Sequence, residues 1–369
     1  MIAFKIINEP NNSPKCEILE DESKAVEDDF IIRFPYFNSG IDLTRISPDD
    51  YTLYEFHIPD FSEGDYKLIK IENVLKGFFL PSKSIDYQYT VDQFDQLSES
   101  ITTHLSKQND LNQVRMFIIM YYKLIEMNIF DLIKQNELSS EPLDTLSSLL
   151  DQKLSLNKSY MILSNDIDVN DYIICLYNNG IYSNKPTFTY PRYIPYENLI
   201  LNLSSDIIIK SKFILSSFQT YLISTDDAVS FFFYQYQIIE FLMEKTFSKD
   251  IDNIINSLSI MKSDYTKSTF DLKKELENHM SEKSRLQKLI RDARINISSP
   301  ILLEQCNALL KKNNKKEEED NISALYSVRN LIFHSFHIFV DNSTSNLETI
   351  NEEVNKLLMN LLLSNYLFR

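Results

Sequence analysis

The feature that most constrains this chain is the placement of its helix-breaking residues. There are only four glycines in 369 residues, the last of them is Gly180, and no proline follows Pro300. Glycine and proline are the residues that most strongly mark turns and helix ends. The stretch from Thr225 to Arg369 therefore favours long helices joined by polar loops. The same scarcity of glycine argues against the glycine-rich loops that bind nucleotide phosphates.

Apolar residues recur three and four positions apart through this stretch, which is typical of amphipathic helices. Ser224-Thr225-Asp226-Asp227 has the residues that cap a helix N-terminus. Helical segments are predicted in AVSFFFYQYQIIEFLMEKTF, a shorter IDNIINSLSIM, the span from Thr269 to Arg294, ILLEQCNALLKK, ISALYSVRNLIFHSFHIF and LETINEEVNKLLMNLLLSNYLF. About five antiparallel helices joined by short loops make an up-and-down α-helical bundle the expected architecture of residues 225–369.

The first 224 residues have a mixed pattern. Strand-like runs with turn residues between them occupy residues 1–98, among them FIIRFPYF, YTLYEFHIP and YKLIKI. Helical periodicity follows to about residue 154, strongest in NQVRMFIIMYYKLIEMNIFDLIKQNEL, and short β-like runs return in YIICLY, NLILNL and DIIIKSKFIL. The predicted fold class is therefore α+β: a mixed α/β region over residues 1–224, as one domain or as two (1–98 and 99–224), then the helical domain.

The formal net charge of −16 argues against a protein that coats nucleic acid through bulk electrostatics. The first 100 residues hold 20 acidic and 9 basic side chains, so 11 of the 16 negative charges lie there. The smaller excess of negative charge in the rest of the chain is compatible with an RNA site there. The start of the chain lacks the pattern of a signal peptide, and no run of eighteen apolar residues follows, so we expect a cytoplasmic protein without a membrane partner.

Three residues of one predicted helix have side chains suited to phosphodiester chemistry. Asn330 and His334 are four apart and share a face, so the amide could orient the imidazole. Arg329 and His334 are five apart, roughly 140° around an ideal helix, and they converge only through the length of the arginine or through a partner subunit. Arginine binds phosphate with two parallel hydrogen bonds, while histidine transfers a proton near neutral pH.

The sequence Arg-Asn-Leu-Ile-Phe-His, framed as ALYSVRNLIFHSF, resembles the RNxxxH signature of HEPN ribonucleases. The resemblance covers residues 225–369 and implies a helical bundle that forms a homodimer, in which the motifs of two protomers make one composite site. It also implies RNA cleavage without metal or cofactor, with the 2′-hydroxyl as nucleophile and a cyclic phosphate product. Arg329 would hold the scissile phosphate, His334 would act as general acid or base, and Asn330 would position them. Many prokaryotic members are toxins or abortive-infection effectors in antiviral defence, and that role is implied by analogy.

Other residues could support this site, and most of them also have a purely structural interpretation. Glu240 lies where members of that family often carry an acidic residue on an early helix and could hold Arg329 in place, or it is an exposed helix acid. His337 does not match the signature and is at most a supporting residue. The run KKNNKKEEED from Lys311 to Asp320 could contact RNA through its lysines, although its acids nearly cancel them and favour a solvated loop. The remaining histidines, His57, His104 and His279, have no partner at ligand spacing, and no metal site is predicted.

Three functions of different classes remain open. The first is a dimeric endoribonuclease, probed by growth arrest that His334→Ala abolishes, with an N-terminal region that binds a trigger or an antitoxin partner. The second is a catalytically silent HEPN-like module that binds nucleotide or RNA, or mediates assembly. The third is a helical protein-interaction protein whose acidic N-terminal half contacts a basic partner, and whose function does not depend on Arg329 or His334.

Overall fold

The structure is a computed structural model that describes residues 2–7, 15–19, 30–34, 48–57, 67–72, 74–80, 119–120, 123, 159–184, 198–202, 206–260, 281–335 and 344–364. The chain divides into two compact units. The first comprises Met1–Val169, Asn179–Lys185 and Thr189–Asn202, and the second comprises Asn170–Asn178, Pro186–Phe188 and Leu203–Arg369. The main stretch of the second unit thus begins at Leu203, about twenty residues before the change of sequence pattern at Thr225.

The first unit contains two β-sheets. Strands β1 (Ile2–Ile7), β2 (Lys15–Leu19) and β3 (Phe30–Phe34) form an antiparallel sheet in the order β2-β1-β3. The second sheet has the order β4-β7-β6-β5-β8, built from β4 (Tyr51–Phe56), β5 (Lys67–Ile71), β6 (Val74–Leu80), β7 (Ser159–Ser164) and β8 (Asn198–Leu201). Its neighbours are antiparallel except for β5 and β8, which pair in parallel. The strands expected in FIIRFPYF, YTLYEFHIP, YKLIKI and NLILNL are confirmed.

Strand β7 lies inside the second sheet, and no strand was predicted there. Its residues Tyr160–Leu163 are all 2% exposed or less. A strand buried on both faces reads as a continuous apolar run without the alternation that identifies a half-exposed strand. The neighbouring Gly77 is required by close packing, because a Cβ atom at that position would lie 2.2 Å from the carbonyl oxygen of Ile162.

Two runs that the sequence favoured as β-like are helical, so that prediction was wrong. YIICLY forms helix α1 (Ile173–Asn178) after a 3₁₀ turn at Val169–Tyr172. DIIIKSKFIL forms α2 (Asp206–Ile209) and α3 (Lys212–Ser216), with the Ser211 hydroxyl accepting from the Ile214 amide as an N-cap. Their β-branched composition reflects burial, since Ile173–Tyr177 is at most 4% exposed and packs against other helical elements of the second unit. Of the predicted helix before residue 154, only Ile119, Met120 and Lys123 are described, and they are helical.

The rest of the second unit is helical. A π-helical turn (Ser217–Tyr221) leads into α4 (Leu222–Ser224), and then come α5 (Ala228–Ile260), α6 (Glu282–Asp292), α7 (Pro300–Lys312), α8 (Asn321–Ser335) and α9 (Thr344–Leu362). The predicted start is confirmed, because Asp227 accepts a 2.7 Å hydrogen bond from the Ser230 amide. AVSFFFYQYQIIEFLMEKTF and IDNIINSLSIM form one helix rather than two. The predicted segment from Thr269 is described only from Ser281 onward.

The long helices pack into one apolar core. Helix α9 contacts α1, α5 and α7, while α8 contacts α6 and α7. Helices α5 and α8 run in opposite directions, since Phe233 meets Phe333 and Glu240 meets Arg329. Helices α5 and α6 advance in the same direction through contacts that join Tyr236 to Glu282 and Asp250 to Lys288, so not every packed pair is antiparallel. None of the described helices is long and apolar enough to cross a lipid bilayer.

Candidate functional site

Helix α8 presents its motif residues because its opposite face is buried. Ala324, Leu325, Val328 and Leu331 are at most 2% exposed and pack into the core. The helix begins immediately after Asp320, which accepts a 2.9 Å hydrogen bond from the amide of Ser323 and also bonds its hydroxyl. This cap satisfies one of the free amides at the helix start and fixes where the helical register begins.

Arg329 is anchored by carboxylates from two other helices. Its Nη2 donates to Oε1 of Glu240 on α5 at 2.6 Å. Its Nε lies 3.2 Å from Oε1 of Glu282 at the start of α6, an ion-pair distance without the alignment of a hydrogen bond. The arginine side chain is only 13% exposed. Three helices therefore fix its position, which explains how a long flexible side chain adopts one conformation here.

Aromatic rings enclose the same guanidinium. Its central carbon lies 4.6 Å from the ring centre of Phe333 and 5.6 Å from that of Tyr236. The two rings also contact each other at 6.1 Å, and the Tyr236 hydroxyl donates to Glu282 at 3.3 Å. Burial raises the pKa of Tyr236 above its ordinary value, and the Glu282 charge raises that pKa further. The hydroxyl therefore remains a hydrogen-bond donor that helps to hold Glu282 beside the arginine.

The electrostatic surroundings keep Arg329 charged. Burial acts to lower the pKa of the guanidinium, but its hydrogen bond to Glu240 and the charges of Glu282 and Glu240 outweigh it and raise the pKa. The group is a permanent cation with two formal negative charges next to it. The cluster of Arg329, Glu240 and Glu282 thus has a formal charge of −1.

The remaining nitrogen of Arg329 faces the other two motif residues. Nη1 donates to the Asn330 side-chain oxygen at 3.1 Å and lies 3.3 Å from His334 Nε2. A guanidinium only donates hydrogen bonds, so this contact is a hydrogen bond only when Nε2 carries no proton and can accept. The length of the arginine side chain therefore brings the two groups together within one chain. No hydrogen bond joins Asn330 to His334 in the part of the chain that the structure describes, so the amide contacts the arginine and not the imidazole it was expected to orient.

A cleft of about 540 Å³ opens beside the motif, entirely within the second unit. Its polar lining comes from α8 and from the loop that precedes it: Lys315, Lys316, Glu318, Tyr326, Asn330 and His334. His334, Lys315 and Lys316 are exposed, whereas Asn330 and Tyr326 are half-buried. The cleft thus joins an imidazole, an amide, a phenol ring, two ammonium groups and one carboxylate in a solvent-accessible space.

The loop that carries the lysines has a defined backbone. Asn314 adopts a left-handed conformation with φ 55°, and the Lys315 amide donates to the Leu310 carbonyl at 2.9 Å, which closes the end of α7. Asn307 holds the far end, because its side chain accepts from the Glu318 amide at 2.8 Å and donates to the Glu318 carbonyl at 2.9 Å. The segment is a largely exposed loop, as expected, and three of its residues, Lys315, Lys316 and Glu318, line the cleft.

The predicted site residues have different outcomes. Arg329, Asn330 and His334 lie together. Glu240 contacts Arg329, as the interpretation that it holds this arginine in place requires. His337 lies outside the described residues. Glu282 was not predicted, because nothing in the sequence relates an acid at the start of one helix to an arginine 47 positions later. Among the described residues, no group of three or more His, Cys, Asp or Glu side chains is arranged to bind a metal ion.

Comparison with protein-family models, with curated proteins and with solved structures gives no match. The site is therefore interpreted from its own geometry.

Proposed function

We propose that the second unit is a HEPN-type endoribonuclease that cleaves RNA without a metal ion. The observation that supports this most directly is the 3.3 Å contact between Arg329 Nη1 and His334 Nε2 at the edge of the cleft. A fixed cation next to an imidazole combines charge stabilisation with proton transfer, the two contributions that cleavage of a phosphodiester requires. By the same resemblance, the protein acts as a toxin or abortive-infection effector in antiviral defence.

The reaction needs a base, an acid and a group that stabilises negative charge on the phosphate. A base removes the proton of the RNA 2′-hydroxyl, and the oxygen forms a bond to the adjacent phosphorus. The bond from phosphorus to the 5′-oxygen breaks, and an acid protonates that leaving oxygen, which yields a 2′,3′-cyclic phosphate and a 5′-hydroxyl. Arg329 Nη1 stabilises the charge on the phosphoryl oxygens, and His334 transfers one proton.

The second proton transfer favours a dimer. In the described part of the chain the cleft contains one imidazole, whereas the reaction needs both a base and an acid. A homodimer that brings two copies of the motif together would supply His334 of the partner subunit as the second group. This proposal agrees with the composite site that the RNxxxH resemblance implies.

The decisive experiment is cleavage of total cellular RNA in EDTA by wild-type protein and by His334→Ala, with analysis of the product ends. We expect wild-type cleavage that leaves 2′,3′-cyclic phosphate ends, and a loss of activity of about 100-fold or more in the variant. His57→Ala, which changes a histidine of the first unit, is the matched control and should remain active. Equal cleavage by wild type and His334→Ala would refute the assignment.

A second candidate is a catalytically silent module that binds RNA. The formal charge of −1 on the cluster of Arg329, Glu240 and Glu282 favours it over catalysis, because the two carboxylates offset the charge with which the arginine would stabilise the transition state. The same experiment separates the candidates when RNA binding is measured in parallel. Binding without any wild-type cleavage in EDTA or with added divalent cations would support the silent module.

A further inference from the structure

The charge balance around Arg329 raises the question of what attracts a polyanion to this cleft. The guanidinium offers only Nη1 towards the cleft residues, while its other nitrogens face Glu240 and Glu282. With a formal charge of −1, this cluster repels a phosphate at longer range. Any RNA that binds here needs cations from another part of the cleft.

Lys315 and Lys316 are placed to supply those cations. Both are exposed, both line the same cleft as Asn330 and His334, and neither forms an ion pair with any residue that the structure describes. Their backbone position is set by the hydrogen bond from the Lys315 amide to Leu310 and by the Asn307 contacts that hold Glu318. Their backbone is held in place by these bonds, while their side chains remain available to a ligand.

Three of the four acids that follow these lysines in sequence have other partners. Glu317 pairs with Lys311 at 3.4 Å, the Glu318 carboxylate accepts a 2.7 Å hydrogen bond from Ser327, and Asp320 caps α8. The formal charges of KKNNKKEEED therefore still balance in the folded loop, but among the described residues none of these acids forms an ion pair with Lys315 or Lys316. Of the acids in this run, only Glu318 lines the cleft.

The remaining lining residues suit an unpaired nucleotide. The half-buried ring of Tyr326 offers a flat surface on which a base can stack. The side-chain nitrogen of Asn330 has no hydrogen-bond partner among the described residues, whereas its oxygen binds Arg329. An amide donor and an aromatic ring next to exposed cations are the elements with which proteins bind single-stranded RNA, whose bases are not stacked in a duplex.

We propose that this cleft binds one nucleotide of a single-stranded RNA beside the scissile bond, with Lys315 and Lys316 on its backbone phosphates and Tyr326 stacked on its base. The proposal rests on the proposed ribonuclease function, because it places the scissile phosphate at Arg329 and His334. It assigns a specific substrate class, unpaired RNA, and predicts that the lysines control binding rather than the chemical step.

The test is binding of a fluorescently labelled single-stranded oligoribonucleotide to the full chain carrying His334→Ala, so that cleavage does not interfere. The paired change Lys315→Gln and Lys316→Gln should weaken binding about tenfold at low salt. It should also lower the slope of log affinity against log salt by about 1.4, as expected for two lost phosphate contacts on a single strand. The matched control is Lys212→Gln with Lys245→Gln, which removes the same charge from two exposed lysines of the second unit outside the cleft lining.

Substitutions of Tyr326 provide an independent test in the same binding experiment. Tyr326→Phe keeps the ring and should bind RNA within about twofold of the parent, whereas Tyr326→Leu should weaken binding about tenfold with an unchanged salt slope. A duplex RNA of the same sequence should bind more weakly than the single strand. Thermal unfolding of each variant checks that the fold is retained.

The possible results separate this proposal from the proposed function. If both lysine pairs weaken RNA binding equally, or if neither does, the cleft assignment is overturned whether or not the wild type cleaves RNA. If only the Lys315 and Lys316 pair weakens binding, but the wild type never cleaves RNA, the cleft assignment stands and the ribonuclease function fails. Tighter binding of duplex than of single strand would overturn the substrate class.

Discussion

Arg329 illustrates why the identity of one side chain matters more here than its charge. Its planar guanidinium contacts Glu240, Glu282, Asn330 and His334 at once through different nitrogens. A lysine at this position would supply a single ammonium centre and could not span these partners. The stacking against Phe333 also depends on the planar shape of the group.

The role of Glu240 can be tested by removing its charge. We expect Glu240→Gln to lower the single-turnover rate of RNA cleavage about 10- to 100-fold, because Arg329 loses its shortest anchor and its placement loosens. RNA affinity should stay the same or rise slightly, since a negative charge near the phosphate is removed. Glu244→Gln, one turn farther along α5, is the matched control. An equal loss of rate in both variants would contradict a positioning role for Glu240.

At the scale of elements, helix α8 depends on how its first turn begins. Asp320 caps the helix that carries the motif, and the hydrogen bonds from Ser323 fix the cap. Burial acts to raise the pKa of Asp320, but the hydrogen bonds from Ser323 outweigh it and lower the pKa below 3.8. The pKa of Asp320 is lower in the folded protein than its ordinary value of 3.8. The carboxylate therefore stabilises the fold fully above pH 3.8, and this stabilisation is lost as the pH falls through the pKa of the folded state.

The lowered pKa of Asp320 leads to a prediction about the helix cap. Asp320→Ala should lower the free energy of unfolding by about 1 kcal/mol at pH 7, whereas Asp320→Asn, which still caps, should lose less. The difference between wild type and Asp320→Ala should shrink below about pH 3.8, where the wild-type carboxylate takes up a proton. Denaturant unfolding at pH 7 and at acid pH measures both effects. A difference that grows at acid pH would contradict the assigned pKa direction.

At the scale of the whole molecule, the second unit is not a continuous stretch of chain. Helix α1, far upstream of the long helices, packs against α9 and against the π-helical turn, where Tyr177 and Phe218 meet edge to face at 4.8 Å. The helices between Leu203 and Ser224 belong to the same unit. A boundary at Thr225 would therefore remove part of the apolar covering of the helical core.

Fragments of the chain test this division. A fragment of residues 170–369 should unfold cooperatively, whereas one of residues 225–369 should unfold at least about 10 °C lower or fail to fold. The physical reason is the exposure of core residues that α1 and α3 cover, each side chain costing about 1.5–3 kcal/mol. Thermal unfolding followed by circular dichroism measures the difference. Equal melting temperatures would show that the upstream helices contribute little.

The proposed dimer makes a separate prediction for mixtures of variants. Arg329→Ala and His334→Ala proteins should each be inactive alone, and a mixture allowed to exchange subunits should regain partial activity. One of its two motifs would still supply an arginine and the other a histidine to a shared site. RNA cleavage by the mixture, with subunit exchange followed by mass photometry, is the measurement. Exchange without any recovery would mean that each chain works alone.

The candidate site could be predicted only where the contributing residues lie close together in sequence. Arg329, Asn330 and His334 belong to one helix, so their spacing was sufficient to group them. Glu240 was proposed from the family resemblance, either as a partner of Arg329 or as an exposed helix acid. Nothing in the sequence pointed to Glu282. The lysines at 315 and 316 were visible, but the acids that follow them suggested a neutral solvated loop. Their availability depends on the contacts of Glu317, Glu318 and Asp320, which exist only in the folded loop.

By itself, the sequence determined the helical character of the C-terminal half, most of the outer strands and the motif, because these depend on local periodicity, caps and breakers. The tertiary structure alone decided the strand character of β7, the helical state of YIICLY and DIIIKSKFIL, and the start of the second unit at Leu203. Short apolar runs fit a strand or a buried helix equally well, and the neighbours that distinguish them come from distant parts of the chain. The tertiary structure alone also decided how Arg329 is anchored. The carboxylates that hold it, Glu240 and Glu282, come from two other helices and reach it only when the three helices pack together.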